Sequence, residues 1–186
     1  MRRTIISDAS CLIVLSNIDE LKILRLVYGQ ITITPEIVSE FGEFLPSWFD
    51  VLSPKNKLRQ SDLELQVDRG EASAIALALE IPGSTLIVDD QRARKLADKL
   101  GIDFTGTLGV IVKAKLCGII SSVKPNLRKI QWTEFRVGND GILSVLSEAG
   151  EEIEYAAKSC NRCEICWCFG IFTFPWQRIR GDEAWA

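Results

Sequence analysis

The chain has 186 residues, 47% of them apolar and 25% charged, with a formal charge of −3 and no histidine. That length and apolar content suit one folded domain with an appendage and exclude a chain disordered throughout, and the mild negative charge excludes a coat protein held to nucleic acid by charge alone. Lack of histidine removes Ser-His-Asp and Cys-His catalysis, His–zinc sites and histidine general bases, leaving carboxylates, hydroxyls, thiolates, amines or metal ions for any chemistry.

In chain order, residues 4–7 read as a buried strand that runs into Asp8. Residues 10–15 and 19–28 look helical, with Leu21, Leu24 and Tyr28 on one stripe. Residues 31–34 are a second predicted strand. Pro35 suits a first helical position with Thr34 as its cap, and a helix over 35–41 turns Ile37 and Phe41 to the core while Glu36 and Glu40 share a neighbouring face. Residues 42–68 are weakly patterned and carry Pro46 and Pro54, so loops with short helical pieces are expected there. Gly70 opens a strong helix over 71–80, Pro82-Gly83 ends it, and a strand over 84–88 stops abruptly in Asp89-Asp90. Residues 91–100 are amphipathic, with Ala93, Leu96, Ala97 and Leu100 on one face and Gly101 placed as a C-terminal cap. Residues 102–105 form a fourth strand, Gly106-Thr107-Leu108-Gly109 leads into a helix ending near Cys117, and 125–130 and 141–149 are further helices.

Strands alternating with helices of about 10–15 residues predict βαβ units, hence an α/β fold around a parallel sheet. No run of about 18 apolar residues marks a membrane span. Arg2-Arg3 precedes too short an apolar stretch for a secretory leader, so a cytoplasmic protein with no membrane partner is expected. The pattern stops near Gly150, which predicts a folded domain over 1–150 and a cysteine- and aromatic-rich appendage over 151–186. In the appendage Cys160, Cys163 and Cys166 follow a C-x-x-C-x-x-C spacing, with Cys168 next. A metal knuckle and a tail foreign to the domain are the two readings. The second fits better, because zinc ribbons pair two knuckles roughly 12–20 residues apart and Cys11 and Cys117 sit in apolar helical patterns. Exposed, Trp167, Phe169, Phe172, Phe174 and Trp176 would make an adhesive surface.

Asp8, Glu40, Glu71 and the pair Asp89-Asp90 each fall at a strand end or near a helix end. In an open parallel sheet, ligands bind outside the carboxyl ends of the strands. Asp8 and Asp89/Asp90 would end adjacent strands there, with Glu40 and Glu71 approaching from helices beside the same edge. Converging carboxylates repel one another unless a cation sits among them, and magnesium or manganese takes oxygen ligands. Each acid also has an ordinary reading. Asp8 can cap the next helix with Ser10 assisting. Asp90 can pair with Arg94 at the surface, worth about 0.3–0.5 kcal/mol. Glu71 at a helix start is favourable with the dipole, and Glu36 competes with Glu40. Only their joint placement goes beyond these readings.

The motifs Ile6-Ser7-Asp8-Ala9-Ser10, Pro35-Glu36-Ile37-Val38-Ser39-Glu40-Phe41, Gly70-Glu71-Ala72-Ser73-Ala74-Ile75-Ala76 and Val88-Asp89-Asp90 with Ala93-Arg94 resemble, in order and spacing over residues 4–149, the PIN-domain superfamily. Gly106-Thr107-Leu108-Gly109 fits a prokaryotic branch close to the VapC-type toxin ribonucleases. The resemblance implies a PIN-like three-layer fold, with a central, mostly parallel twisted sheet flanked by helices. It implies a metal-dependent endoribonuclease that hydrolyses RNA phosphodiester bonds with one or two Mg2+ or Mn2+ ions. Carried over by motif, Asp8 is the first acid, Glu40 the second, Glu71 the third and Asp90 the fourth. Asp89 is a further candidate ligand and the rival for the fourth role, since register within the strand is open. Ser10 would orient a carboxylate or water, and Thr107 is a supporting candidate at the same edge or simply a helix cap. Arg92, Arg94, Lys95 and Lys113 are candidate phosphate contacts or else solvated helix faces. An antitoxin that blocks the acidic pocket and a homodimer are the implied partners. A PIN-fold nucleic-acid-binding or scaffold protein with impaired catalysis competes with this reading, since many relatives carry aspartate where this chain has Glu71. A phosphoacceptor receiver domain fits less well, because its paired acids would follow the first strand.

Overall fold

The structure, a computed structural model, describes residues 3–133 and 135–151. These lie in one compact unit, Met1–Ile153. The 160–168 cysteine cluster and the rest of the appendage beyond Glu151 lie outside the described residues.

Five strands form one parallel sheet: β1 (Ile5–Ser7), β2 (Ile31–Ile33), β3 (Phe49–Val51), β4 (Thr85–Ile87) and β5 (Asp103–Thr105). Their order is β3-β2-β1-β4-β5, with Ile6 opposite Thr32, Ser7 opposite Ile87, Ile33 opposite Val51 and Ile87 opposite Thr105. Strands β1, β2 and β4 are nearly continuous aliphatic runs, as a sheet covered on both faces requires. The helices are α1 (Ala9–Asn17), α2 (Lys22–Tyr28), α3 (Pro35–Phe41), α4 (Lys57–Glu64), α5 (Arg69–Glu80), α6 (Gln91–Lys99), α7 (Thr107–Leu116), α8 (Lys124–Gln131) and α9 (Asn139–Glu148). Helix α5 lies against β1 and β4 and packs with α3, α4 and α6; α2 packs on α7, which also meets α9. Small residues on α5, with Ala72, Ala74, Ala76 and Ala78 all buried, let its backbone approach the sheet closely. The result is the three-layer α/β arrangement expected from the sequence. Among the described residues no helix is long and apolar enough to cross a membrane.

Strand β3 lies in the stretch read from sequence as loop. It is a three-residue edge strand in which only Phe49 is buried, and Asp50 interrupts the apolar run, so neither alternation nor hydrophobicity marks it. Elsewhere the punctuation residues act as their chemistry dictates. Thr34 caps α3 and Pro35 fills its first turn. Gly101 takes a φ of 69° just past α6, a conformation that disfavours residues with a Cβ.

From β1 the chain builds outward through β2 to β3, then returns by α4 and α5 to place β4 on the other side of β1. The reversal makes the carboxyl ends of β1 and β4 a topological switch point, where two neighbouring connections diverge and leave a crevice.

Candidate functional site

Asp8 is the residue after β1. Its N–H donates to the Ile87 carbonyl at 3.0 Å, extending the β1–β4 pairing by one step. Its Oδ1 accepts from the Cys11 N–H at 3.1 Å and so caps α1. The ordinary capping role is therefore real, but it uses one oxygen. Asp8 is 1% exposed, and its Oδ2 is buried without a hydrogen-bond partner. A helix cap usually leaves its second oxygen to water, and enclosing an unpaired acceptor costs about 1–3 kcal/mol. Burial, reinforced by the charges of Asp89 and Glu71 against the opposing pull of backbone N–H groups, pushes the Asp8 carboxyl up to about 8.

Between Asp89 and Asp90 the structure divides the labour. The Asp89 side chain is 9% exposed. Its Oδ1 accepts from the Thr107 N–H at 3.0 Å and from Arg94 Nη2 at 3.2 Å, and its Oδ2 accepts from the Thr107 hydroxyl. Asp90 is exposed and caps α6, accepting from the N–H groups of Arg92 at 2.6 Å and Ala93 at 3.0 Å. Arg94 therefore pairs with Asp89, not with Asp90 as the four-residue spacing suggested. With Asp90 engaged as a cap, Arg94 folds back and also donates through Nε to the Val88 carbonyl at 2.8 Å. Burial raises the Asp89 pKa despite these three donors. The clamp needs the glycine before Thr107: a Cβ on Gly106 would sit 1.9 Å from Arg94 Nη2 and 2.7 Å from Asp89 Oδ1.

Glu71 lies in the first turn of α5, where its Oε2 accepts from the Asp68 N–H at 3.2 Å. Ser73 ties this turn down, bonding the Gly70 carbonyl and the Thr34 hydroxyl, both at 2.6 Å. Burial, then the charges of Asp90, Asp68 and Glu40, lift the Glu71 carboxyl to about 7, with the Asp68 N–H pulling the other way. Glu40 is exposed near the end of α3 with its Oε2 beside Gly70, where a Cβ would come within 2.4 Å. Partial desolvation of its carboxyl beside Gly70, then the charge of Asp68, raises its pKa. Its rival Glu36 is engaged elsewhere. It accepts from Gln60 Nε2 at 2.9 Å and Lys57 Nζ at 3.5 Å. These partners outweigh desolvation and hold its carboxyl below the usual range. Asp68 was not singled out from the sequence, although Asp68-x-x-Glu71 is the spacing of a capping box and could have pointed to it.

The acids thus form one continuous field: Asp89 and Glu71 both act on Asp8, and Asp90, Asp68 and Glu40 act on Glu71. Among the described residues, no three acidic, histidine or cysteine side chains are gathered closely enough to ligate one ion as they stand. The donor set is nevertheless all oxygen and includes the orphaned Asp8 Oδ2. This suits a hard cation such as magnesium, which keeps several waters and takes only one or two carboxylates directly.

Ser10 is half-buried in the first turn of α1 and makes no side-chain hydrogen bond among the described residues. Thr107 serves as an anchor for Asp89; the α7 N-cap position belongs to Gly106. Arg92 lines a cavity of about 350 Å3 with Glu71, Asp68 and Asp90, Lys95 is exposed on α6, and Lys113 lines a different groove. Replacing Thr107 by valine keeps the shape but strips one donor from a buried carboxylate. The expected cost is about 1–3 kcal/mol, read as a lower urea midpoint at unchanged slope.

No curated protein and no solved structure matches the chain. A family model described as a PIN domain, a nuclease fold, matches residues 4–151. That span runs from the strand before Asp8 to the end of the described residues and takes in every acid of the crevice. The chain belongs to the PIN-domain family.

Proposed function

We propose that this protein is a metal-dependent endoribonuclease, with Asp8, Glu71, Asp89 and Asp90 at its centre and Glu40 at the margin. The observation that carries the reading is Asp8 Oδ2, a buried carboxylate oxygen without a partner, among acids whose charges raise the pKa of Asp8 and of Glu71. A bound Mg2+ or Mn2+ would supply Lewis-acid activation of water and neutralise charge on the scissile phosphate. Asp8 offers the free oxygen, and Asp89, held by Thr107 and Arg94, is positioned beside it. Glu71 and Asp90 face the 350 Å3 cavity, where Arg92 stands ready to take a phosphate oxygen. Arg94, committed to Asp89 and Val88, serves the site as a positioning residue, and Ser10 and Lys95 are open to solvent or substrate.

The resemblance to VapC-type toxins supports the toxin half of a toxin–antitoxin pair as the biological role. An antitoxin covering the acidic crevice, a homodimer and action in the cytoplasm follow from the same reading. The spread of the carboxylates favours one alternative, a PIN-fold binding protein with impaired catalysis. Structured RNAs incubated with the purified protein decide between them. The expected result is endonucleolytic cleavage with manganese or magnesium, abolished by chelator and restored by adding metal back. RNA binding without cleavage under every metal condition would establish the alternative.

A further inference from the structure

A second groove, of about 770 Å3, is lined by residues of α2, α7 and the sheet. Ile5 and Thr85, the first residues of β1 and β4, line it, with Thr105, the last residue of β5. The acidic crevice follows the last residues of β1 and β4, so the groove reaches the other end of the same strands. Arg3, Arg25 and Lys113 line it, and among the described residues no acidic one does. Arg3 pairs with Asp103 at 2.9 Å, but the two side chains are 66% and 62% exposed, so water and other anions compete for that pair. Arg25 and Lys113 form no ion pair among the described residues. Lys113 Nζ lies 4.3 Å from the centroid of the Tyr28 ring, fixing a cation beside an aromatic wall that Leu26 extends. Burial pushes the Tyr28 phenol up to about 12, so it stays a neutral hydroxyl.

We infer that this groove binds a nucleoside phosphate, either as one unit of a nucleic-acid strand or as a free nucleotide. The size falls within the roughly 300–1,000 Å3 of small-ligand sites. Arg25 and Lys113 meet the phosphate, the Leu26 and Tyr28 wall takes the apolar face of the base, and the Thr85 and Thr105 hydroxyls reach sugar or base edges. An inorganic anion alone would leave the apolar wall and most of the volume unused. The inference does not rest on the cleavage reading, since none of these residues belongs to the acidic crevice.

The test uses the full chain in chelator, so that strands stay whole. Binding of a labelled octa-adenylate RNA is followed by anisotropy and binding of AMP by calorimetry. At least one probe is expected to bind. The Arg25→Gln/Lys113→Gln variant should weaken that binding about tenfold or more and lower the salt slope for the oligonucleotide by about 1.4, from two lost contacts on a single strand. Arg25→Lys/Lys113→Arg should restore affinity, which a merely structural role would not predict. Lys113→Gln alone, changing one exposed side chain, gives a smaller loss in the same direction. Binding of AMP identifies a free nucleotide as sufficient; binding of the oligonucleotide alone identifies a strand. Asp8→Asn should leave groove binding intact while losing cleavage, which separates the two readings. Failure of both probes to bind, or unchanged affinity in the glutamine variants, overturns the inference.

Discussion

In Asp8→Asn, RNA cleavage is expected to fall roughly 10²–10³-fold, the loss that follows when one key electrostatic group leaves a preorganised site. The amide keeps an oxygen to accept the Cys11 N–H, so the α1 cap survives and the fold should form. What disappears is the carboxyl that can ionise beside Asp89 and offer its second oxygen to a cation. The same substitution has a signature in the metal-free protein. The folded Asp8 carboxyl titrates at about 8, against an ordinary 3.8. Above pH 4 the unfolded chain releases this proton while the folded chain retains it. Stability is thus fully present below that point, declines as pH rises, and has lost this contribution once pH passes about 8. Glu71 adds a similar decline between its ordinary 4.5 and about 7. Urea midpoints in chelator should therefore fall across this range for the wild type and fall less for Asp8→Asn. Manganese at pH 8 should raise the melting temperature of the wild type and not of the variant. Undiminished cleavage by Asp8→Asn, or wild-type stability that climbs through the same window, would refute the assignment.

Adding one methyl group at Gly106 is expected to be nearly as damaging. Nothing in the backbone forbids alanine there, since φ is −120°. The objection is space: the new Cβ would overlap Arg94 Nη2 at 1.9 Å and press on Asp89 Oδ1 at 2.7 Å. Arg94 can be displaced. Asp89 cannot follow without breaking its bonds to Thr107, because the donor N–H belongs to the residue next to the substitution. We expect Gly106→Ala to destabilise the protein by about 1–3 kcal/mol through overpacking. Activity should drop about 10²-fold, the loss that follows a displacement of about 1 Å in a catalytic group. The coupling is checkable. In an Arg94→Ala background the alanine at 106 meets one obstacle fewer, so the two changes should cost less together than the sum of their separate effects. Full additivity would show that Arg94 and Gly106 do not share a contact that matters.

Much of this arrangement was legible from the residues alone, for identifiable reasons. Asp8 and Asp89-Asp90 announce strand ends because apolar, β-rich runs stop dead at a carboxylate, and the structure pairs those strands as neighbours. Choosing between Asp89 and Asp90 was beyond sequence, since both follow the strand and either can cap α6. What separates them in the fold is Thr107, 18 positions along the chain, which bonds Asp89 and leaves Asp90 to cap α6. Gln60 and Lys57 engage Glu36, the rival of Glu40, and their segment was the least patterned of the domain. Strand β3 escaped for the same reason. Glu71, by contrast, lies at a helix start that Gly70 and the strong helical run after it mark in the sequence.

The clamp on Asp89 has a consequence for the order in which the molecule is made. All the acids of the crevice, from Asp8 to Asp90, leave the ribosome before the threonine that holds Asp89. The central strand β1 is translated first, yet it waits for β2 and then β4, synthesised nearly 80 residues later, to close around it. Nascent chains ending before Thr107 would carry the acids but lack the anchor, so the Asp89 clamp cannot close until translation has passed the start of α7.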